Sequence, residues 1–167
     1  MIEATNDPQK IGPALHWIVS LLNRHNITYQ IVGGLAAKAY GASRPLVDID
    51  IYVQLNNEQT LQALLEEVRP YVVREYGPHR SASWDIMYMA LDYHGIYIDV
   101  ADSAGARFYN HRDGRWEEQG IDYTRSTWQT LYGVEIAVMP REELLAYKAM
   151  LQREVDRQDL AEIGDQG

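Results

Sequence analysis

The amino-acid sequence predicts an α+β fold in which helices pack on a central mixed sheet. Apolar residues recur at helical spacing near both ends of the chain, whereas the segments between them alternate or form short apolar runs, as strands do. In order, the chain reads helix, strand, helix, strand, helix, several strands and a terminal helix, which is typical of a mixed sheet with flanking helices. A length of 167 residues predicts one domain, spanning residues 1–167, with room for a sizeable core.

The chain begins with a helix and a strand that lead to a pair of glycines. An N-cap pattern at residues 7–8 starts a helix whose apolar stripe continues to about residue 23. Residues 29–32 form a short apolar strand, and the glycines at 33–34 then turn the chain into a short helix that ends near residue 41. The sequence therefore predicts a strand–turn–helix unit with glycine at the turn.

The next strand carries two acidic residues on one face. Over residues 47–53, apolar side chains alternate with Asp48 and Asp50, which is the period of a strand. Side chains two apart on a strand point to the same face, so both carboxylates lie together, opposite the apolar positions of this strand. Two like charges held this close cost free energy unless something positive lies between them, and a divalent metal is the obvious candidate.

The sequence pattern in the middle of the chain predicts a helix and three strands. A helix capped at Asn56 or Asn57 ends at Pro70, and residues 71–76 form a strand that a following Gly-Pro pair interrupts. Residues 84–101 predict a hairpin, with strands at 84–91 and 96–101 joined by a turn.

The last third of the chain gives weaker signals. Residues 105–133 read as irregular, because aromatic and charged residues mix with turn signals there. Residues 134–138 form a short strand, and a helix that starts near residue 140 continues to about residue 160.

Composition narrows the class of protein. A formal net charge of −9 argues against a non-specific nucleic-acid binder, although it allows a nucleotide whose phosphates reach carboxylates through a metal. The absence of cysteine excludes disulfides and thiolate chemistry. With no apolar run of membrane-spanning length and no signal-like start, we expect a cytoplasmic protein that does not bind membranes.

A third acidic residue falls within an apolar strand. Asp99 lies between Ile98 and Val100, where strand propensity and burial both disfavour an aspartate unless it has a partner. If its strand lies beside that of Asp48 and Asp50, three carboxylates converge on one spot. Oxygen-rich sites of this kind suit Mg²⁺ or Mn²⁺, with substrate phosphates completing the coordination.

The glycine pair, the Asp48-x-Asp50 strand and the distant Asp99 together resemble the nucleotidyltransferase superfamily with the polymerase-beta-like fold. The chain is most similar to its small members, including the aminoglycoside and lincosamide nucleotidyltransferases of antibiotic resistance, over about residues 29–163. The resemblance implies transfer of a nucleoside monophosphate from a nucleoside triphosphate (NTP) to an acceptor hydroxyl, with a small molecule as the expected acceptor.

The resemblance also implies roles for these residues. Asp48 and Asp50 would hold the metal, and Asp99 would complete the site and act as general base. Gly33 and Gly34 would let the triphosphate approach the backbone where a helix begins. Many relatives have serine at the position of Gly34, so phosphate binding here would depend on backbone N–H groups and nearby cations.

Two basic residues are candidates for that phosphate site. Arg44 is the nearest in sequence, with a loop salt bridge as the alternative. Lys148 sits on a largely apolar helix face and would reach either a phosphate or solvent. The following Arg153, Asp156 and Asp159 favour an ion-pair set over a role as ligands.

Plainer interpretations stand beside each of these hypotheses. The strand of Asp48 and Asp50 would be an exposed edge face if the acids had no function, and Asp99 would then be an exposed hairpin residue. The aromatic residues between positions 108 and 132 would form an acceptor pocket or, slightly favoured, a satellite core. His79 would line a cleft or simply be exposed in a loop.

Other function classes also stay open from the sequence. The same fold serves in toxin–antitoxin pairs, where the nucleotidyltransferase acts on a protein or on tRNA and has a small helical protein partner. A catalytically silent, nucleotide-binding interaction module is a third class. The sequence does not decide between a monomer and a homodimer.

Overall fold

Within residues 3–164, which the computed structural model describes, the chain forms five α-helices and one eight-stranded mixed sheet. The helices are α1 (Pro8–Arg24), α2 (Gly33–Ala39), α3 (Glu58–Val68), α4 (Arg141–Leu151) and α5 (Glu154–Ile163). The strands are β1 (Thr28–Val32), β2 (Asp48–Gln54), β3 (Val72–Arg80), β4 (Trp84–Tyr93), β5 (Ile96–Asn110), β6 (Arg115–Glu118), β7 (Thr127–Leu131) and β8 (Val134–Val138). The predicted α+β class with a mixed central sheet is confirmed.

The sheet places β2 and β5 side by side near its centre. The strand order is β3-β4-β5-β2-β1-β8-β7, with β6 paired to the far part of β5. The pairs β2–β5 and β1–β8 are parallel, and the remaining pairs are antiparallel. In this register Asp50 lies opposite Asp99 on β5 and opposite Val32 on β1.

Helix α1 forms where the sequence predicts it. The Asp7 side chain accepts a hydrogen bond from the Gln9 N–H at 2.9 Å, which satisfies one of the free donors of the first turn. Leu15, Ile18 and Leu22 share the apolar stripe and are wholly buried where α1 packs against β1, β5 and β8.

The prediction that residues 105–133 are irregular is wrong. β5 continues to Asn110 and pairs with β6, and β7 then pairs with β8. Residues 103–106 of β5 are accommodated in a bulge opposite β4, since Asp85 pairs with Arg107 but Met87 pairs with Asp102. The bulge breaks the alternation of side chains, and many side chains beyond it are exposed, so the strand pattern is hidden in the sequence.

Two smaller boundaries also differ from the sequence prediction. β3 does not stop at Tyr76 but runs through Gly77 and Pro78, because it is an edge strand, where a residue without an N–H is tolerated. Val47 precedes β2 and is 43% exposed, although the alternation placed it on the buried face. None of the helices within residues 3–164 has the length and apolar character needed to cross a membrane.

Candidate active site

The three predicted carboxylates converge. Asp48 and Asp50 point to one face at the start of β2, and the parallel register of β5 sets Asp99 directly beside Asp50. One carboxylate oxygen from each residue lies within 4.8 Å of the others. The sequence predicted this convergence on the condition that the two strands are neighbours, and they are neighbours.

The electrostatics of this trio favour a bound cation. Burial raises the pKa of Asp48, and it raises the pKa of Asp50 well above its ordinary value, with Asp48 and Asp99 adding repulsion. Burial and then the Asp48 charge raise the pKa of Asp99 to about 7. Three close oxygen donors with excess negative charge are the set that a hard divalent cation prefers, so these residues fit Mg²⁺ or Mn²⁺.

Both glycines at the start of α2 are needed for close packing. Gly33 has φ +64°, and a Cβ on it would collide with the Asp50 carboxylate. A Cβ on Gly34 would lie 2.7 Å from Nη2 of Arg44 and 3.0 Å from Cδ2 of Leu46. The space that a side chain at position 34 would fill is thus taken by the Arg44 guanidinium, which explains why glycine suits this position.

A buried ion-pair network lies next to the glycines. Arg44 donates to Asp159 through Nε at 2.8 Å and Nη2 at 3.0 Å, and Arg153 donates to Asp156 through Nε at 2.8 Å and Nη2 at 3.0 Å. The Lys148 ammonium lies 3.3 Å from Asp156 and 2.9 Å from Asp159. The expected ion-pair set is present. Of the two alternatives for Lys148, extension to solvent is wrong, because its side chain is only 1% exposed.

A cleft of about 380 Å³ joins these groups. The acid trio lies on its sheet side, and Arg44, Lys148 and Arg153 contribute positive charge from the loop before β2 and from α4 and α5. Further lining comes from aromatic and imidazole side chains, namely Tyr52, His79, Trp84, Tyr88 and Tyr147. The cleft thus has an acidic wall, a basic wall and an aromatic wall.

The aromatic wall was not identified as functional from the sequence. Trp84, Ile86 and Tyr88 alternate along β4 and all line the cleft, so their spacing was the available signal. The Trp84 indole N–H donates to the Tyr147 hydroxyl at 2.6 Å, which joins β4 to α4 in the lining of the cleft. His79 also lines the cleft, with its ring 5.3 Å from that of Tyr88.

The aromatic residues between positions 108 and 132 lie elsewhere. Among the described residues that line the cleft, none belongs to this segment. Tyr109 packs against Trp116 with ring centroids 5.5 Å apart, the Tyr123 hydroxyl donates to Ser103, and Trp128 is 61% exposed. The plainer interpretation, local packing away from the cleft, describes them better than an acceptor pocket does.

Comparisons with known proteins agree with the fold and identify the family. Residues 14–163 match the aminoglycoside-2''-adenylyltransferase family. A comparison with curated protein sequences finds no significant match.

Several solved structures share the fold. A Thermotoga maritima protein described as a candidate nucleotidyltransferase is 20% identical, with a TM-score of 0.61 and coverage of 81% of each chain. The lincosamide adenylyltransferase LnuA, solved with lincomycin bound, is 16% identical, with a TM-score of 0.61 over 98% of this chain and 99% of that one. The antibiotic-resistance factor ANT(2'')-Ia is 14% identical, with a TM-score of 0.56 over 93% of this chain and 85% of that one.

Proposed function

The chain belongs to the aminoglycoside-2''-adenylyltransferase family and is a nucleotidyltransferase. We propose that it uses a divalent metal to transfer a nucleoside monophosphate from an NTP to a hydroxyl of a small acceptor. The observation that carries this proposal is the convergence of Asp48, Asp50 and Asp99 in a cleft that basic side chains also line. Carboxylates that hold a metal, facing cations that neutralise phosphate, are the parts that phosphoryl-type transfer needs.

Asp48, Asp50 and Asp99 would hold Mg²⁺ or Mn²⁺. When bound, the metal would neutralise charge on the phosphates and acidify the attacking hydroxyl. The side chains of the trio need no rearrangement to serve as ligands, since their oxygens already lie together.

The phosphates would lie between this trio and the basic wall. Arg44 and Lys148 would supply positive charge there, and the lack of side chains at Gly33 and Gly34 leaves room for Asp50 and Arg44 beside the phosphates. Arg44 takes the place that a serine side chain at position 34 would need, so a guanidinium would replace the hydroxyl contact of other relatives.

The transfer itself would be an in-line displacement. The acceptor oxygen forms a bond to the α-phosphorus, and the bond from that phosphorus to its bridging oxygen breaks, with the electron pair leaving on pyrophosphate. The hydroxyl proton passes to Asp99, which lines the cleft at its acidic wall. The residues of the cleft contribute mainly by positioning the two substrates and stabilising charge.

We expect the acceptor to be a hydroxyl-bearing antibiotic. LnuA is described with lincomycin, and ANT(2'')-Ia with adenylyl-2''-tobramycin. A net charge of −9 would attract a polycationic acceptor such as an aminoglycoside and would repel RNA. The intact acid trio weighs against a catalytically silent module.

A substrate screen tests this function. The purified chain is incubated with Mg²⁺, each of the four NTPs labelled at the α-phosphate, and panels of aminoglycosides and lincosamides. Label on a small molecule, together with released pyrophosphate, is the expected result. Label on a protein or on tRNA would instead support the toxin–antitoxin class.

Asp50→Asn tests whether the trio is the catalytic centre. The substitution keeps the shape of the side chain and removes one charge, so we expect transfer to fall by about a thousandfold or more while the protein stays folded. Asp113→Asn, the same change at an exposed turn, is the control and should keep wild-type turnover. Equal turnover of Asp50→Asn and wild type would refute the assignment.

A further inference from the structure

The ion pairs of the basic wall form one alternating chain of charges. Arg153 binds Asp156, Lys148 bridges Asp156 and Asp159, and Asp159 binds Arg44. Both aspartates lie on α5 and are wholly buried, whereas the chain ends at each side in a guanidinium that lines the cleft. Three cations balance two carboxylates, so the network presents an excess positive charge to the cleft.

The two buried aspartates are engaged by the cations of the network. Asp156 accepts from the Lys148 ammonium and from the Arg153 backbone N–H, Nε and Nη2. Asp159 accepts from Lys148 and from two nitrogens of Arg44. Burial alone would raise the pKa of Asp159, but these donors hold it below its ordinary value. The two aspartates therefore act by holding the three cations in place.

Arg153 is held in place by three contacts, two of which involve its guanidinium. Asp156 fixes two of its nitrogens, its backbone caps α5, and its Cζ lies 4.7 Å from the centre of the Trp84 ring. Even so, 38% of its side chain is exposed. Arg153 lines the same cleft as the acid trio. Burial raises the pKa values of Asp48 and Asp50, and the positive charge of Arg153 partly offsets that rise.

We propose that Arg153 is a further triphosphate-binding residue, and that Asp156 and Asp159 are positioning residues that hold Arg153 and Arg44 on the phosphate chain. This inference rests on the proposed function. A guanidinium offers planar, paired donors that match phosphate oxygens, and one that is already fixed loses little entropy on binding. Charge that builds on the leaving pyrophosphate then meets donors that need no reorganisation.

Pyrophosphate with Mg²⁺ is the probe that tests Arg153, because it carries no base and needs no acceptor. Its affinity is measured by calorimetric titration of the full chain. Arg153→Gln should weaken binding about tenfold or more, as the loss of a charge-assisted contact does. Arg153→Lys, which keeps the charge but loses the paired donors, should give an intermediate loss. The control Arg157→Gln, one turn along α5 at an exposed position, should stay within about twofold of wild type.

The positioning role needs a readout that a loss of folding would not produce. Asp156→Asn should raise the KM for the NTP and the Kd for Mg²⁺-pyrophosphate, leaving the KM for the acceptor unchanged. Wild-type pyrophosphate affinity in this variant, with only a lower Tm, would show that Asp156 is merely structural and would overturn that part of the proposal.

The outcomes separate this inference from the proposed function. If wild type binds Mg²⁺-pyrophosphate and transfers label, but Arg153→Gln binds as tightly as wild type, the inference fails and the proposed function stands. If wild type neither binds the probe nor transfers label, both fail together. Arg153 is half-exposed and outside the core, so its glutamine variant should fold and keep the test decisive.

Discussion

Without metal, the wild-type protein should lose stability as the pH rises, and replacing Asp99 by asparagine should remove part of that loss. In the folded state the pKa of Asp99 is raised to about 7 by burial and by Asp48. In the unfolded chain the same carboxyl titrates near its ordinary pKa of about 4. Between these two values the folded state binds more protons than the unfolded state, so stability falls as pH rises through this window.

The size of the loss follows from the width of the window. At about pH 5 the carboxyl is already ionised in the unfolded chain. The loss of stability continues to about pH 7, where Asp99 ionises in the folded state. About two pH units at about 1.4 kcal/mol per unit give about 2.5 kcal/mol between pH 5 and pH 8. For a chain of this length, that corresponds to a Tm difference of about 5–10 °C.

Urea unfolding at about pH 5 and about pH 8, in buffers with a chelator, measures this loss of stability. The stability of Asp99→Asn relative to wild type should rise by about 2.5 kcal/mol from the lower to the higher pH. Millimolar Mg²⁺ should stabilise wild type at pH 8 by neutralising the trio, and should stabilise the variant much less.

Asp113→Asn is the matched control for this measurement. Arg112 holds the pKa of the exposed Asp113 below its ordinary value, so this carboxyl is ionised in both states throughout the window. The stability difference between Asp113→Asn and wild type should therefore stay constant. Parallel pH curves for Asp99→Asn and wild type would refute the argument that the trio is a cluster of uncompensated charge.

Two further substitutions test the basic wall. Gly34→Ala should weaken Mg²⁺-pyrophosphate binding, measured by calorimetry, because its Cβ would push Arg44 away from Asp159 without adding a hydroxyl that could replace the contact. Unchanged affinity would show that Arg44 does not contact phosphate. Lys148→Met should lower the free energy of unfolding in urea by about 3–5 kcal/mol, since it leaves Asp156 and Asp159 buried without the ammonium between them. A loss below about 1 kcal/mol would mean that Lys148 contributes little to the network.

The acidic site was predictable because its signals are local. Asp48 and Asp50 alternate with apolar residues in one strand, and Asp99 lies between apolar residues in another, so each stands out in its own sequence window. Only the pairing of these two strands was conditional, and the parallel register of β2 and β5 supplied it.

The basic wall was only partly predictable. Arg153, Asp156 and Asp159 have the spacing of ion pairs on a helix, and that prediction is confirmed. The reach of Lys148 depended on which way α4 faces, because a lysine on an apolar helix face extends to solvent or turns inward to buried carboxylates. The packing of α5 against α4 decided that the ammonium is buried.

The sequence alone determined the strand–turn–helix unit, the double-aspartate strand and the third aspartate, because side-chain period and glycine conformation are properties of short segments. Only the tertiary structure decided that Gly34 leaves space for Arg44, that Trp84 and Tyr88 line the same cleft as the acids, and that β5 continues past Gly105 to pair with β6. The first two depend on contacts between different elements of the fold, which no single segment encodes. The third was hidden because the bulge in β5 breaks the alternation of side chains.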